Sequence, residues 1–130
     1  MIDHLTLQVS DFEKSRDFYL KALAPLDYVL VMDLTPGQAR HLLGRFCGLG
    51  ARGKPDLWLR ESGSSTSATH VAIAAPSRAA VDAFHRAALA AGATDNGPPG
   101  LRADYHPNYY GAFVIDVNGH NLEAVCHAPE

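Results

Sequence analysis

Apolar and polar residues alternate over the first strand-sized stretch of the chain. In Asp3-His4-Leu5-Thr6-Leu7-Gln8-Val9, the residues Leu5, Leu7 and Val9 take one face and His4, Thr6 and Gln8 the other, the two-residue period of a half-buried strand. The period then lengthens. Ser10-Asp11-Phe12-Glu13 has capping-box spacing, and Phe12, Ser15, Phe18, Tyr19, Ala22 and Leu23 recur at helical spacing, predicting a helix that Pro25 ends. Residues 28–34 predict a second strand. Thr35-Pro36-Gly37 is a break, and residues 38–46 fit a short helix. Gly48, Gly50, Gly53 and Pro55 mark loop before a short strand at Leu57-Trp58-Leu59-Arg60. Residues 62–67 read as a polar linker.

The pattern then begins again. A shift of 66 residues lays His4 on His70, Phe18 on Phe84 and Ala22-Leu23-Ala24 on Ala88-Leu89-Ala90, and sets Leu5, Leu7 and Val9 on Val71, Ile73 and Ala75. Residues 69–75 predict a strand. Ser77 caps a helix with Val81, Phe84, Ala88 and Leu89 as its buried stripe and Gly92 at its end. Residues 96–100 predict a Gly/Pro loop and residues 105–110 an aromatic, polar segment. Residues 112–117 and 121–127 predict two strands joined at the hairpin signal Asn118-Gly119. Two copies of one unit, about residues 1–62 and 68–127, make a single α+β domain over 1–130 with helices on one side of a curved sheet.

Composition narrows the function classes. At 47% hydrophobic, 19% charged and a net charge of -3, the chain has no basic footprint for nucleic acid or an anionic membrane. No apolar run approaches the roughly 20 residues of a membrane span. No basic-then-apolar leader opens the sequence, and Cys47 and Cys126 read as two free thiols, so the expected compartment is the cytoplasm.

The chemistry-bearing residues lie on the face opposite the apolar stripe. That face carries His4, Thr6 and Gln8 in one repeat and His70, Ala72 and Ala74 in the other, small and polar enough to line a hollow. In the last strand Leu122, Ala124 and Cys126 take one side, leaving Glu123 and Val125 on the other. Two imidazoles and a carboxylate in one cavity suit a divalent Zn, Ni, Mn, Fe or Co ion with positions left for substrate. The same periodicity also fits hydrogen-bonded strand histidines and an edge carboxylate. Trp58 and Arg60 share this face, Arg60 as a group suited to a carboxylate or phosphate. Tyr105, His106, Tyr109 and Tyr110 offer proton donors and acceptors, or an aromatic rim. His41, His85, His120 and His127 have no partners at ligand spacing and read as surface or turn residues.

Three motifs carry a resemblance. Asp3-His4-Leu5-Thr6-Leu7 with Ser10-Asp11 and Phe18-Tyr19, then Thr69-His70-Val71-Ala72, then Asp116-Val117-Asn118-Gly119-His120-Asn121-Leu122-Glu123 together resemble the vicinal oxygen chelate superfamily, the glyoxalase/bleomycin-resistance/dioxygenase group, over residues 1–127. The resemblance implies two βαβββ modules forming a cup-like sheet with helices on the outside, and a homodimer. It implies one divalent metal ion at His4, His70 and Glu123, binding neighbouring oxygens of a small-molecule substrate for isomerase or lyase chemistry. Tyr105, His106 and Tyr110 become the acid/base candidates, and Trp58, Arg60, Thr6 and Gln8 the substrate-binding ones.

The departures from the family pattern matter equally. Glyoxalase I carries a further glutamate in the last strand of its first module, where the repeat here sets Trp58. Glu61 stands three residues on, an odd step that turns it to the other face. Fosfomycin-resistance thiol transferases share the triad and a tryptophan but need an arginine beyond the glutamate, and none follows Glu123 here. Extradiol dioxygenases share the triad in a longer, doubled chain, and bleomycin-binding members lack the ligands. The expectation is a metal-dependent enzyme, with a metal-free drug- or toxin-binding protein as the rival, and a dioxygenase or thiol transferase as variants on the same triad.

Overall fold

Each repeat folds into its own four-stranded sheet. The computed structural model describes residues 2–38 and 44–129. The first repeat contains β1 (Leu5–Val9), α1 (Phe12–Leu23), β2 (Val29–Leu34), β3 (Phe46–Gly50) and β4 (Leu57–Glu61). The second contains β5 (His70–Ala74), α2 (Arg78–Ala90), β6 (Thr94–Leu101), β7 (Tyr110–Ile115) and β8 (Asn121–Cys126). The sheets run β1-β4-β3-β2 and β5-β8-β7-β6, so the first strand of each module is an edge, parallel to the last. Register repeats too: Thr6 pairs with Trp58, and its counterpart Ala72 pairs with Glu123. This is an α+β fold of two βαβββ modules in a curved, unclosed sheet.

One core joins the modules. The stripes Leu7/Val9 and Ile73 pack beneath the helices with Leu57, Leu59, Leu122 and Ala124, and α1 and α2 pack against each other. The buried face of α1 is Phe12, Ser15, Phe18, Tyr19, Ala22 and Leu23, as the spacing predicts. On α2 the stripe is Val81, Phe84, His85 and Ala88, while Leu89 stays exposed. The apolar type of Leu89 outweighed its angular position in the sequence reading. His85 is carried inward and its Nε2 lies 2.9 Å from Asp95 Oδ1. Across the modules, the buried Tyr19 hydroxyl donates to Asp116, and Ser15 and Asn118 bond at 3.1 Å.

Several local expectations change. Asp11, not Ser10, caps α1, its carboxylate accepting from Lys14 N at 3.1 Å. The end of the helix at Pro25 is as expected: α1 stops at Leu23, and Pro25 sits in the 3₁₀ turn that follows (Ala24–Leu26), where its missing N–H costs nothing. The glycines at 48 and 50 belong to strand β3 rather than a loop. A Cβ at Gly50 would stand 1.9 Å from Lys54 O, so these positions serve close approach, not a turn. Likewise residues 96–100 lie within β6, an edge strand whose pairing slips between Asp95 and Gly97 and between Gly97 and Gly100. An edge tolerates Pro98 and Pro99 because no neighbour needs their N–H.

The β7–β8 connection is longer than a two-residue hairpin. Ile115 pairs with Asn121, and Asp116 organises the turn, its carboxylate accepting from the backbone of Asn118 and His120 at 2.8 Å each. His120 is therefore not a surface residue. It is fully buried and its Nδ1 accepts from Thr69 N at 3.2 Å. Cys47 and Cys126 are free, buried thiols. Residues 39–43, including His41 and the middle of the expected short helix, lie outside the described residues. No described helix is long and apolar enough to cross a membrane.

Candidate functional site

The concave face of the second module gathers a small polar group. Strand alternation turns Leu122 and Ala124 into the core and Glu123 to the opposite face, beside His70 on the neighbouring strand. Glu123 Oε2 lies 2.8 Å from His70 Nε2, and Oε1 accepts from the Tyr109 hydroxyl. The carboxylate is fully buried, with a partner on each oxygen. Gly111 leaves room for it, since a Cβ there would stand 3.1 Å from both Glu123 Oε1 and Tyr109 Cε1. Phe113 lies on the same face, 6.2 Å from His70 between ring centroids.

Tyr109 is held as a donor. Burial first, and then the bond to Glu123, push its phenol up to about 12, so it stays protonated at neutral pH. Its ring is wedged edge-on between Tyr105 and His127, at centroid distances of 5.2 and 5.1 Å.

The other sequence-predicted residues are dispersed. His4 is exposed, and its Nδ1 lies 2.8 Å from Asp3, which Lys54 also holds at 2.8 Å. The Lys54 ammonium is the main reason the Asp3 carboxyl falls to about 2. Among the described residues no group of three or more His, Cys, Asp or Glu side chains is arranged to hold a metal ion. Thr6 and Gln8 are exposed on β1. Trp58 lies over Gly48, and the Arg60 guanidinium sits 5.5 Å from the Phe46 ring centroid. Tyr110 is turned to the helix side, where its hydroxyl donates to Asp82 at 2.8 Å. Tyr105 is 68% exposed, and His106 is exposed with its Nδ1 accepting from Asn108 N.

Both module edges that bear the histidines are open to further strand pairing. Asn121 N donates to Thr69 O and Ala75 N to Val125 O, so His70, Ala72 and Ala74 turn their backbone groups outward from β5. On β1 the outward groups of Gln8 are taken by Thr66, which leaves the end nearest His4 uncovered. A groove of about 880 Å³ is bordered by both edges, including His4, Leu5, Tyr28, His70 and Ala72.

The sequence pattern does not single out two residues near this site, Arg102 and Phe113, and it offers Tyr109 as a proton donor or acceptor without placing it in the acid/base set of Tyr105, His106 and Tyr110. Parity was the available signal. Tyr109, Gly111 and Phe113 are two apart, and Phe113 pairs with Glu123. A two-residue turn at Asn118-Gly119 would instead set Val114 opposite Glu123, a one-residue slip that exchanges the faces of β7.

Comparison with known proteins agrees with this architecture. The family model described as Glyoxalase/Bleomycin resistance protein/Dioxygenase superfamily matches residues 1–124. A glyoxalase/bleomycin resistance protein from Albidiferax ferrireducens is 26% identical, with 98% of each chain covered and a TM-score of 0.74. A glyoxalase/bleomycin resistance protein/dioxygenase family enzyme from Burkholderia phytofirmans is 16% identical, with 98% of each chain covered and a TM-score of 0.68. A glyoxalase I mutant from Zea mays is 21% identical with a TM-score of 0.71; the match covers 95% of this chain and 46% of that one. No curated protein matches the sequence.

Proposed function

This chain belongs to the glyoxalase/bleomycin resistance protein/dioxygenase superfamily, and on that premise we propose that it is a divalent-metal-dependent enzyme acting on a small molecule with neighbouring oxygens. The superfamily includes glyoxalase I and dioxygenases, and its members bind small-molecule substrates and commonly form dimers. The observation that carries the reading is the His70–Glu123 pair, 2.8 Å apart, with the second carboxylate oxygen held by Tyr109. An imidazole and a carboxylate supported by an outer hydrogen bond form a donor set that fits a Zn, Ni, Mn, Fe or Co ion. Among the described residues of one chain no third His, Cys, Asp or Glu joins this pair in a metal-holding group. The third ligand is the His4 of a second copy, delivered when the open β1 edge of one chain closes on the β5 edge of another.

A divalent ion bound there supplies Lewis-acid stabilisation of negative charge on a substrate oxygen. The chain's own residues do the rest. Tyr109 keeps its proton and fixes the orientation of Glu123. Trp58 and Phe113 wall the cup and exclude water, while Thr6, Gln8 and Arg60 line the half contributed by the first module. Tyr105 and His106, on the exposed rim, are the groups available to exchange a proton with a bound substrate. Tyr110, turned toward α2, serves packing instead.

Elemental analysis of the purified protein tests this. Near-stoichiometric divalent metal, lost in both His70→Ala and Glu123→Ala, is expected. Wild-type protein that takes up none of the five ions on reloading would sink the enzyme reading. Trp58, in the position of a glutamate ligand, would then favour sequestration of an aromatic compound.

A further inference from the structure

We infer that Arg102 is an anion-binding residue and that the cup takes a small oxygenated carboxylic acid, a hydroxy or oxo acid, with its carboxylate on this guanidinium. The inference deepens the reading of the cup as a substrate site and rests on it.

The first observation is charge. Arg16 and Arg45 are neutralised by Glu13 and Asp33, and Lys54 by Asp3. Arg102 is half-buried yet has no carboxylate within ion-pair distance among the described residues. A cation withdrawn from water without a counter-charge is incompletely solvated, and an arriving anion relieves that.

The second is rigidity. The guanidinium sits 5.6 Å from the Phe113 ring centroid, and it donates to Pro98 O at 2.7 Å and more weakly to Leu101 O at 3.4 Å. Glycines make the space beneath it: a Cβ at Gly100 would stand 2.9 Å from Arg102 Nη1, and one at Gly97 3.5 Å from Nη2. The slipped, glycine-bearing form of β6 is thus what seats the arginine. A fork fixed in advance loses little entropy when it binds a planar carboxylate.

The third is place. Arg102 lines a cavity of about 410 Å³ with His70, Asn96, Tyr105, Phe113 and Asn121, a volume suited to a small ligand. Asn96 Nδ2 donates to Asn121 Oδ1 at 3.2 Å, and the remaining donors and acceptors of the two amides suit hydroxyl or carbonyl oxygens. One wall therefore carries a fixed cation, another two amides, and a third His70 with its bond to Glu123.

The test uses malate as the anionic probe and dimethyl malate as its uncharged counterpart, titrated calorimetrically into the full chain, both metal-loaded and in EDTA. Malate should bind at least tenfold more tightly than the diester. Arg102→Gln should lose at least tenfold for malate and little for the diester, whereas Arg86→Gln, on the exposed face of α2, should bind as wild type does. Metal content of Arg102→Gln should equal that of wild type. Undiminished malate binding by folded Arg102→Gln, equal binding of acid and diester, or no malate binding by wild type would each overturn the assignment. Failure of the metal reading is distinguishable: wild type would then take up no metal, while the Arg102-dependent preference for malate in EDTA would be judged by itself.

Discussion

At the scale of single residues, the site turns on the bond between Tyr109 and Glu123. A fully buried carboxylate needs both oxygens satisfied, and among the described residues His70 and Tyr109 do this. Tyr109→Phe should therefore destabilise the protein by about 1–3 kcal/mol at neutral pH, the usual penalty for an orphaned buried acceptor. The pH dependence has a definite sign. The folded phenol titrates at about 12, above its ordinary value of 10, so the folded state holds the proton more tightly than the unfolded one. Its contribution is complete below pH 10 and is lost as pH rises from there through about 12. Urea midpoints at intervals across that window should fall more steeply for wild type than for Tyr109→Phe. Parallel slopes would show that the phenol carries no linkage. The comparison with the variant isolates Tyr109, because Tyr19 and Tyr28 are also raised by burial and by Asp116 and Asp56.

At the scale of elements, glycine has opposite meanings in different places. In β3 it admits backbone: a Cβ at Gly50 would lie 1.9 Å from Lys54 O. Gly50→Ala should cost about 3 kcal/mol, because backbone rather than a flexible side chain must move. A Cβ at Gly63 would meet nothing within 4 Å, and the residue has no left-handed φ. Gly63→Ala should thus leave stability unchanged or raise it by about 0.4–1 kcal/mol through the unfolded chain. Denaturant curves for the two variants check both outcomes, and equal shifts would refute the distinction. In β6 the glycines do something else again, making the floor on which Arg102 lies.

At the scale of the whole molecule, the two sheets remain separate; His70 lies on the edge strand β5, and His4 lies just ahead of the edge strand β1, whose backbone Thr66 covers at Gln8. Exposed Ile2 and Leu5 flank the β1 edge, the apolar margin that strand addition would cover. Mixing variants tests whether a second copy closes the cup. If ligands come from two chains, His4→Ala and Glu123→Gln protein should each be metal-poor alone. Co-refolded at equal ratio, they should recover metal, because their heterodimer contains one intact set. Recovery of none would place all three ligands in one chain.

Much of this was already written in the order of residue types. Alternation and helical spacing need only local geometry, so β1, β5, the buried face of α1 and the 66-residue repeat were legible, as was the shared face of His70 and Glu123. The linear pattern does not carry pairing register or angular detail set by neighbours. It could not tell that residues 46–50 and 94–101 are strands, because glycine and proline there answer to close backbone approach and to an open edge. Nor could it tell that Asp116 closes the turn over residues 116–120 and thereby sets Phe113 against Glu123. That register decides which side chains of β7 lie beside Glu123. Tertiary structure alone joined Tyr109 to Glu123 and turned Tyr110 toward Asp82, because each depends on which element lies next to which, and at what register.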